Sequence, residues 1–363
     1  VNQHCIGKLQ YHHVSAGPKP TRSVQSNHTP VFPVKPPSPI KRVLIVYDSP
    51  NWAFHSQAKG LIKNKKLKDY NYTICSQSEF YNRNDIERFD VVFAMGAYGM
   101  SEPRFVKKLS RTKYVSMVHH DPHNVGYCDD TVANPILNRE INFINNAEYH
   151  SSISKFIMLA WQKQYNISSF LLPSGIDTKQ FKPSGLFKND KMITVGWCGN
   201  KDKKLKGYWD IILPIMRRLE KSHNIKFIDQ GFEKLVSHEK MPDFYKKIDL
   251  YVCASSHEGL PTPLLEASAC GIPFVSTDVG IVKEIDNKGL NVIVQRTPQS
   301  FSNGVIKMIQ DKKRMMEAGA NNRNVVMTGW SWDVVSYIWE YFITCQIDKL
   351  KNHSDKREKE LGK

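Results

Sequence analysis

Two glutamates, Glu258 and Glu266, bracket the stretch Gly259-Leu260-Pro261-Thr262-Pro263-Leu264-Leu265. An apolar run ends just before them at Ala254, and Pro263 suits the first turn of a helix. Gly259 permits a tight approach or an unusual backbone angle. Free backbone donors at such a helix start, facing a crevice, suit a phosphate. Glu266 falls about one turn into the helix, where a carboxylate can accept hydrogen bonds from vicinal hydroxyls. A carboxylate there also argues against a site built for phosphate alone. Glu258 stays on the loop, so the two acids can bracket different parts of one long polyhydroxylated ligand. A well-capped helix beside an exposed loop, with Glu266 in a salt bridge, fits the same pattern.

A second group is basic. Val195 ends an apolar run, and Gly196-Trp197-Cys198-Gly199-Asn200 leads into Lys201-Asp202-Lys203-Lys204-Leu205-Lys206-Gly207. Cations and the Asn200 amide placed there can offset the charge that develops on a departing diphosphate. The plain alternative is a solvated basic loop, most of all for Lys203 and Lys204. A third group is His119-His120-Asp121, with His123 close by. These types can bind a divalent metal or place a base. Consecutive residues at a strand end diverge, however, so no metal site is expected.

The elements that must position these groups alternate. Apolar runs at 42–47, 90–95 and 114–118 read as buried parallel strands, with shorter strands at 72–75, 148–151 and 170–172. Helical periodicity falls at 52–66, 102–109, 136–146 and 154–164. The alternation restarts at Met192. Strands are expected at 192–195, 225–228, 250–254, 273–276 and 291–294. Helices are expected at 209–219, 241–247, 264–269, 299–310, 311–325 and 332–346. This predicts an α/β protein with two Rossmann-like domains facing across a cleft, the ligand lying at the carboxyl ends of the strands. The expected division is a proline-rich arm or linker over 1–40, a first domain over 41–180 and a linker over 181–190. A second domain over 191–330, a final helix over 331–347 packing back on the first domain, and a charged tail over 348–363 complete it.

The segment from Ser255 to Gly280 resembles the donor-binding signature of the retaining glycosyltransferases of family 4, which have the GT-B architecture. Their pattern is Glu, seven residues, Glu, within a run that continues here through Ala267, Ala269, Cys270, Gly271 and Pro273. Asp278-Val279-Gly280 and Glu284 extend the match, and the likeness runs from about Arg42 to Tyr341. The resemblance implies transfer of a sugar from a nucleotide diphosphate sugar, UDP- or GDP-linked, to an acceptor hydroxyl with retention of configuration. It implies no tightly bound cofactor and no metal. By the same likeness Glu266 holds the ribose hydroxyls and Glu258 lies by the transferred sugar. Gly259, Leu260 and Thr262 would adjoin the sugar and diphosphate, and the amides of Leu260 and Thr262 would be the donors.

In the basic loop Lys206-Gly207 matches the family's lysine-glycine pair. The family's arginine after the strand is absent, and Gly199, Asn200 and Lys201 stand in that stretch. Lysine lacks the arginine fork. His120 is the best match to a histidine near the reaction centre, with His119 and Asp121 beside it on the acceptor side. The first loop, Asp48-Ser49-Pro50-Asn51-Trp52, replaces the family's glycine-rich turn and is expected to shape the acceptor pocket. Trp52 there either stacks on a sugar or anchors the following helix. Asp177, with Phe181-Lys182-Pro183, resembles the family's domain junction and is read as hinge structure. Ser331-Trp332 resembles the start of its final packing helix.

The chain has 363 residues, 51 basic against 35 acidic, for a net charge of +16. An anionic partner follows from that balance, but not its class. No apolar stretch is long enough to span a membrane, and the first residues lack a signal-peptide core. Seven cysteines without CxxC spacing favour a reducing compartment. The expected location is therefore cytoplasmic, with peripheral contact to an anionic membrane through Arg104, Lys107, Lys108, Arg111 and Lys113. The acceptor would be a glycan or a lipid-linked glycan, and Val1 as first residue leaves room for further domains. Rival readings are a sugar-nucleotide epimerase or hydrolase of the same fold, a basic nucleic-acid-binding protein, and a catalytically weakened sugar-binding domain. Product analysis separates the first. The second lacks any compact recognition motif, and no specific nucleic acid is expected.

Overall fold

The computed structural model describes residues 41–50, 53–65, 70–96, 100–118, 135–185, 187, 192–231 and 236–345. The first domain opens with β1 (Lys41–Tyr47), α1 (Ala53–Asn64), β2 (Tyr70–Ser76) and α2 (Gln77–Asn82). It continues through β3 (Val91–Met95), α3 (Pro103–Leu109), β4 (Tyr114–Val118), α4 (Pro135–Asn145), β5 (Tyr149–Ser152), α5 (Lys155–Tyr165) and β6 (Phe170–Leu171). Its strands form one sheet in the order β2-β1-β3-β4-β5-β6, with every pairing parallel. Helices cover both faces, so the central strands β1 and β3 carry unbroken buried apolar runs rather than alternating. Val43 to Val46 and Val92 to Met95 have no exposed surface.

The second domain has β7 (Ile193–Gly199), α6 (Leu213–Ser222), β8 (Ile225–Gly231), α7 (Met241–Tyr245), β9 (Leu250–Cys253) and α8 (Thr262–Ala269). It ends with β10 (Phe274–Thr277), α9 (Val282–Ile285), β11 (Val292–Val294), α10 (Pro298–Ile309) and α11 (Lys312–Gly329). The sheet order is β11-β10-β9-β7-β8, again all parallel. In both sheets the chain winds one way from the first strand and the other way from the third. The switch points therefore lie between β1 and β3 and between β7 and β9, where ligands of such folds sit.

Local signals set the ends of several elements. Ser76 and Glu79 form a reciprocal capping box on α2. Ser154, Thr297 and Asp311 cap α5, α10 and α11. One expected helix begins differently. Residues Tyr208–Ile212 form a wide π turn, and α6 starts only at Leu213. Pro214 lacks the amide that a continuous α-helix would need there.

Helix 332–345, here α12, belongs to the core of the first domain. Trp332, Val335, Trp339, Phe342 and Ile343 are buried in that core, at helical spacing. Phe93 meets Trp339 and Phe342 at ring-centroid distances of 5.6 and 6.0 Å. The Trp339 indole donates to the Pro173 carbonyl at 2.9 Å. The chain thus crosses between domains twice. At the crossings the Ile176 amide donates to the Trp330 carbonyl at 2.8 Å, and the Trp332 amide to the Ile176 carbonyl at 3.2 Å. Phe181, expected in the connector, is fully buried in the second core. Arg323 of α11 fixes that stretch by donating to the Thr178 and Phe181 carbonyls at 3.1 and 2.8 Å. The arm over 1–40 and the tail from 346 lie outside the described residues. No helix among the described residues is long and apolar enough to cross a membrane.

Candidate active site

At the switch point of the second sheet, the loops after β7 and β9 lie side by side. Lys206 ends the short helical turn Lys204–Lys206. Its ammonium pairs with Glu258 Oε1. Ser255 Oγ donates to the same oxygen at 2.7 Å, and Thr277 Oγ1 holds the Ser255 carbonyl at 2.6 Å. Burial alone would lower the Lys206 pKa, but the adjacent Glu258 carboxylate outweighs it, so the group is held above an ordinary lysine. Gly207 follows with φ +65°, and a Cβ there would sit 2.8 Å from the Ala254 carbonyl oxygen. Only glycine lets the two loops come this close.

The Glu258–Pro261 loop rests on the Asp278-Val279-Gly280 turn. Gly280 has φ +52°, and a Cβ on it would meet Pro261 Cδ at 2.7 Å and the Gly259 carbonyl at 3.0 Å. Leu260 packs against both the first-domain core and the second. It therefore stands where the two domains meet. The start of α8 differs from expectation. The Thr262 amide donates back to the Leu260 carbonyl at 2.8 Å, and the Leu264 and Leu265 amides to Pro261 at 2.9 and 3.1 Å. Pro261 and Pro263 supply no donor. This helix start therefore offers an anion little, and the Thr262 amide is spent. The amides of Gly259 and Leu260 have no partner among the described residues.

Glu266 lies on the buried face of α8 at 4% exposure. Tyr245 Oη donates to its Oε2 at 2.6 Å, and His238 Nε2 meets its Oε1 at 3.0 Å. Tyr245 is buried, whereas the His238 side chain keeps 47% of its surface exposed. The hydrogen bond to Glu266 raises the His238 pKa against the effect of burial. Burial first, and then the same carboxylate, push the Tyr245 phenol well above its ordinary value. Glu266 is thus a preset acceptor with His238 at its open side. Neither partner was among the residues singled out from the sequence. Nothing in an isolated chain marks contacts made across 28 and 21 positions.

The other residues of the basic loop face elsewhere. Lys201 pairs with Asp229 Oδ1 at 2.6 Å and lies over the Tyr208 ring. Tyr208 Oη donates to Asp229 Oδ2 at 2.6 Å. The Lys201 charge is therefore already balanced by Asp229 of β8, so it is no simple stand-in for an arginine. Asn200 Oδ1 accepts from the Asp202 amide at 2.9 Å and shapes the turn. Gly199 is buried at the end of β7.

On the first-domain side, Asp48 sits at the end of β1, by the switch point with β3. Its Oδ1 is buried without a partner among the described residues. Burial raises its pKa, against the pull of nearby amides and His55. Trp52, His119, His120 and Asp121 lie outside the described residues. Glu284 of α9 lies near Lys155 at the start of α5 in the first domain; burial raises its pKa against the pull of Lys155. Among the described residues no group of three or more His, Cys, Asp or Glu could hold a metal ion. The basic helix proposed to face lipid is partly committed. Arg104 pairs with Glu102 at 3.0 Å, Arg111 with Glu87, and Lys108 donates to the Tyr81 and Arg83 carbonyls.

Residues 215–325 match the family described as glycosyl transferases group 1. Among curated proteins, the lipopolysaccharide core biosynthesis mannosyltransferase LpsB of Rhizobium meliloti (strain 1021) is 36% identical over 83 residues. The match covers 23% of this chain and 21% of that one. A GDP-mannose-dependent alpha-(1-6)-phosphatidylinositol monomannoside mannosyltransferase of Mycolicibacterium smegmatis is 24% identical over 254 residues, 58% of this chain and 65% of that one. The chain thus spans less than two thirds of the length of either relative. Among solved structures, sucrose-phosphate synthase from Thermosynechococcus elongatus superposes with a TM-score of 0.63 at 11% identity, covering 85% of this chain and all (100%) of that one. Anabaena HepE in complex with UDP gives 0.62 at 12% identity, covering 84% and 100%. Residues 215–325 are thus similar to the glycosyl transferases group 1, and the two domains together have the GT-B fold.

Proposed function

We propose that the protein is a retaining glycosyltransferase that moves a sugar from a nucleotide diphosphate sugar to an acceptor hydroxyl. The observation that carries this reading is the pair of carboxylates at one switch point. Glu266 is a buried, oriented acceptor suited to a ribose diol. Glu258, paired with the half-buried cation Lys206, lies where a sugar diphosphate would join it. Lys206 and the Gly259 and Leu260 amides would offset the charge on the departing diphosphate, so no metal is assigned to that task. His120 is assigned to the reaction centre, and Asp48, Trp52, His119 and Asp121 to the acceptor side.

UDP or GDP is the nucleotide this reading favours, because a structural relative holds UDP and a sequence relative is GDP-mannose-dependent. The acceptor is a glycan or a lipid-linked glycan, and work on such an acceptor would bring the protein to a membrane surface from the cytoplasm. The pairing of Lys201, Arg104 and Arg111 with acids weighs against a general nucleic-acid surface. The test is mass spectrometry of donor breakdown across UDP-, GDP-, ADP- and dTDP-sugars, with excess EDTA and a Glu266→Ala control. Release of one nucleoside diphosphate, lost in the variant, is expected. Release that persists in Glu266→Ala, or that EDTA abolishes, would sink this account of the site.

A further inference from the structure

No arginine follows β7, yet a guanidinium reaches the same loop from the far side of the sheet. Arg296 stands just beyond β11. Its Nε donates to the Ala254 carbonyl at 2.9 Å, and its Nη2 to the Lys204 carbonyl at 3.2 Å. These two carbonyls belong to the two loops that carry the Lys206–Glu258 pair. Ala254 precedes Ser255, whose hydroxyl holds Glu258. Lys204 opens the turn that ends in Lys206. The Ser256 amide ties the same loops together by donating to the Leu205 carbonyl at 2.8 Å.

The guanidinium is exposed, but the Gly207 turn beneath it is closely packed. A Cβ on Gly207 would lie 3.2 Å from Arg296 Nη2 as well as against Ala254. Electrostatics works against it, because Lys201, Lys203, Lys204 and Lys206 crowd one short loop. A planar, permanently charged fork can satisfy two carbonyls in fixed directions, and a single ammonium cannot.

We propose that Arg296 is a positioning residue for diphosphate recognition: it fastens the loop after β7 to the end of β9 and so sets Lys206 against Glu258. This rests on the nucleotide-sugar reading above. It assigns the departure after β7 a structural counterpart on a different strand.

The test uses the full chain with Arg296→Ala and Arg296→Lys. UDP and GDP are titrated by calorimetry, uridine and guanosine by ligand-observed NMR, and amide exchange is followed over 200–207 and 255–258. Arg296→Ala is expected to weaken the preferred diphosphate about tenfold or more, the scale of a lost charge-assisted hydrogen bond. Nucleoside binding should not change, Arg296→Lys should recover only part, and exchange should quicken in both loops. Diphosphate binding equal to wild type, or equal losses for nucleoside and diphosphate, would overturn the proposal while leaving the donor reading intact. Unchanged exchange in both loops would overturn the fastening itself. A wild-type protein that binds neither UDP nor GDP would remove the donor reading, and this role for Arg296 with it.

Discussion

Lys206 and Glu258 are 52 positions apart and meet as an ion pair at the carboxyl ends of adjacent strands. Their side chains keep 20% and 13% of their surface. Each needs the other there, since a lone charge at that depth would be costly. The pair keeps Lys206 charged and in place before any anion arrives. Such preorganisation is what makes a cation effective against charge that develops during a reaction.

Removing the cation should therefore harm both chemistry and fold. Lys206→Ala is expected to lower donor turnover by about 100- to 1000-fold. Stability should fall by about 1–3 kcal/mol, because Glu258 loses its counter-charge. Donor-breakdown assays read the first effect and urea denaturation the second. Unchanged turnover in a folded variant would remove Lys206 from the diphosphate site.

At Glu266 the comparison is between Ala and Gln. Glu266→Ala strands the buried Tyr245 hydroxyl, whose donation at 2.6 Å has no other acceptor among the described residues. It should cost about 1–3 kcal/mol and abolish binding of UDP or GDP. Glu266→Gln keeps an acceptor oxygen and should recover most of the stability but little of the affinity. Calorimetry on both variants, after unfolding titrations, checks the split.

The His238 pair predicts a pH dependence. The Glu266 hydrogen bond raises the His238 pKa in the folded protein above its ordinary 6.5. The folded state then holds this proton more tightly than the unfolded state does. Its contribution is complete below 6.5 and is lost as pH rises through the raised value. Asp177 and Glu239 act on His238 in the same direction. Urea midpoints should thus decline from pH 6 upward in wild type and flatten over that window in His238→Gln. Equal slopes in the two proteins would contradict the assignment.

The Trp332 indole is wedged between two glycines. A Cβ on Gly60 or on Gly175 would lie 2.3 Å from its ring atoms. Gly175→Ala should destabilise the protein by about 1–3 kcal/mol through overpacking. Trp332→Ala should cost about 3–5 kcal/mol through the cavity it leaves. The double variant should lose less than the sum, because the added methyl fills vacated space. Thermal unfolding of the three proteins decides it, and strict additivity would mean that the contact is not shared.

Much of the fold could be read in the chain because its strands are covered on both faces. Val43–Tyr47 and Leu250–Cys253 announce themselves as unbroken apolar runs. The Glu258–Glu266 spacing was equally legible, since loop and helix start are local. What could not be read depends on distance or on competition within a turn. Tyr245 and His238 reach Glu266 from another helix and its approach. Arg296 reaches Lys204 from 92 positions away. Thr262 sits between two prolines, and its amide turns back to Leu260 instead of facing the crevice. Lys201 is indistinguishable by type from Lys206, and only Asp229 on the neighbouring strand sets it apart.

The two chain crossings have one more consequence. Ile176 and Ser331 lie next to each other as a small parallel bridge, so the links between the domains form a single two-ply joint. Any opening of the cleft has to work through that joint, and it would part Leu260 from one of the two cores it packs on. The same connection makes the first domain discontinuous in the chain, since it closes its core with a helix that the chain supplies only after it has built the second.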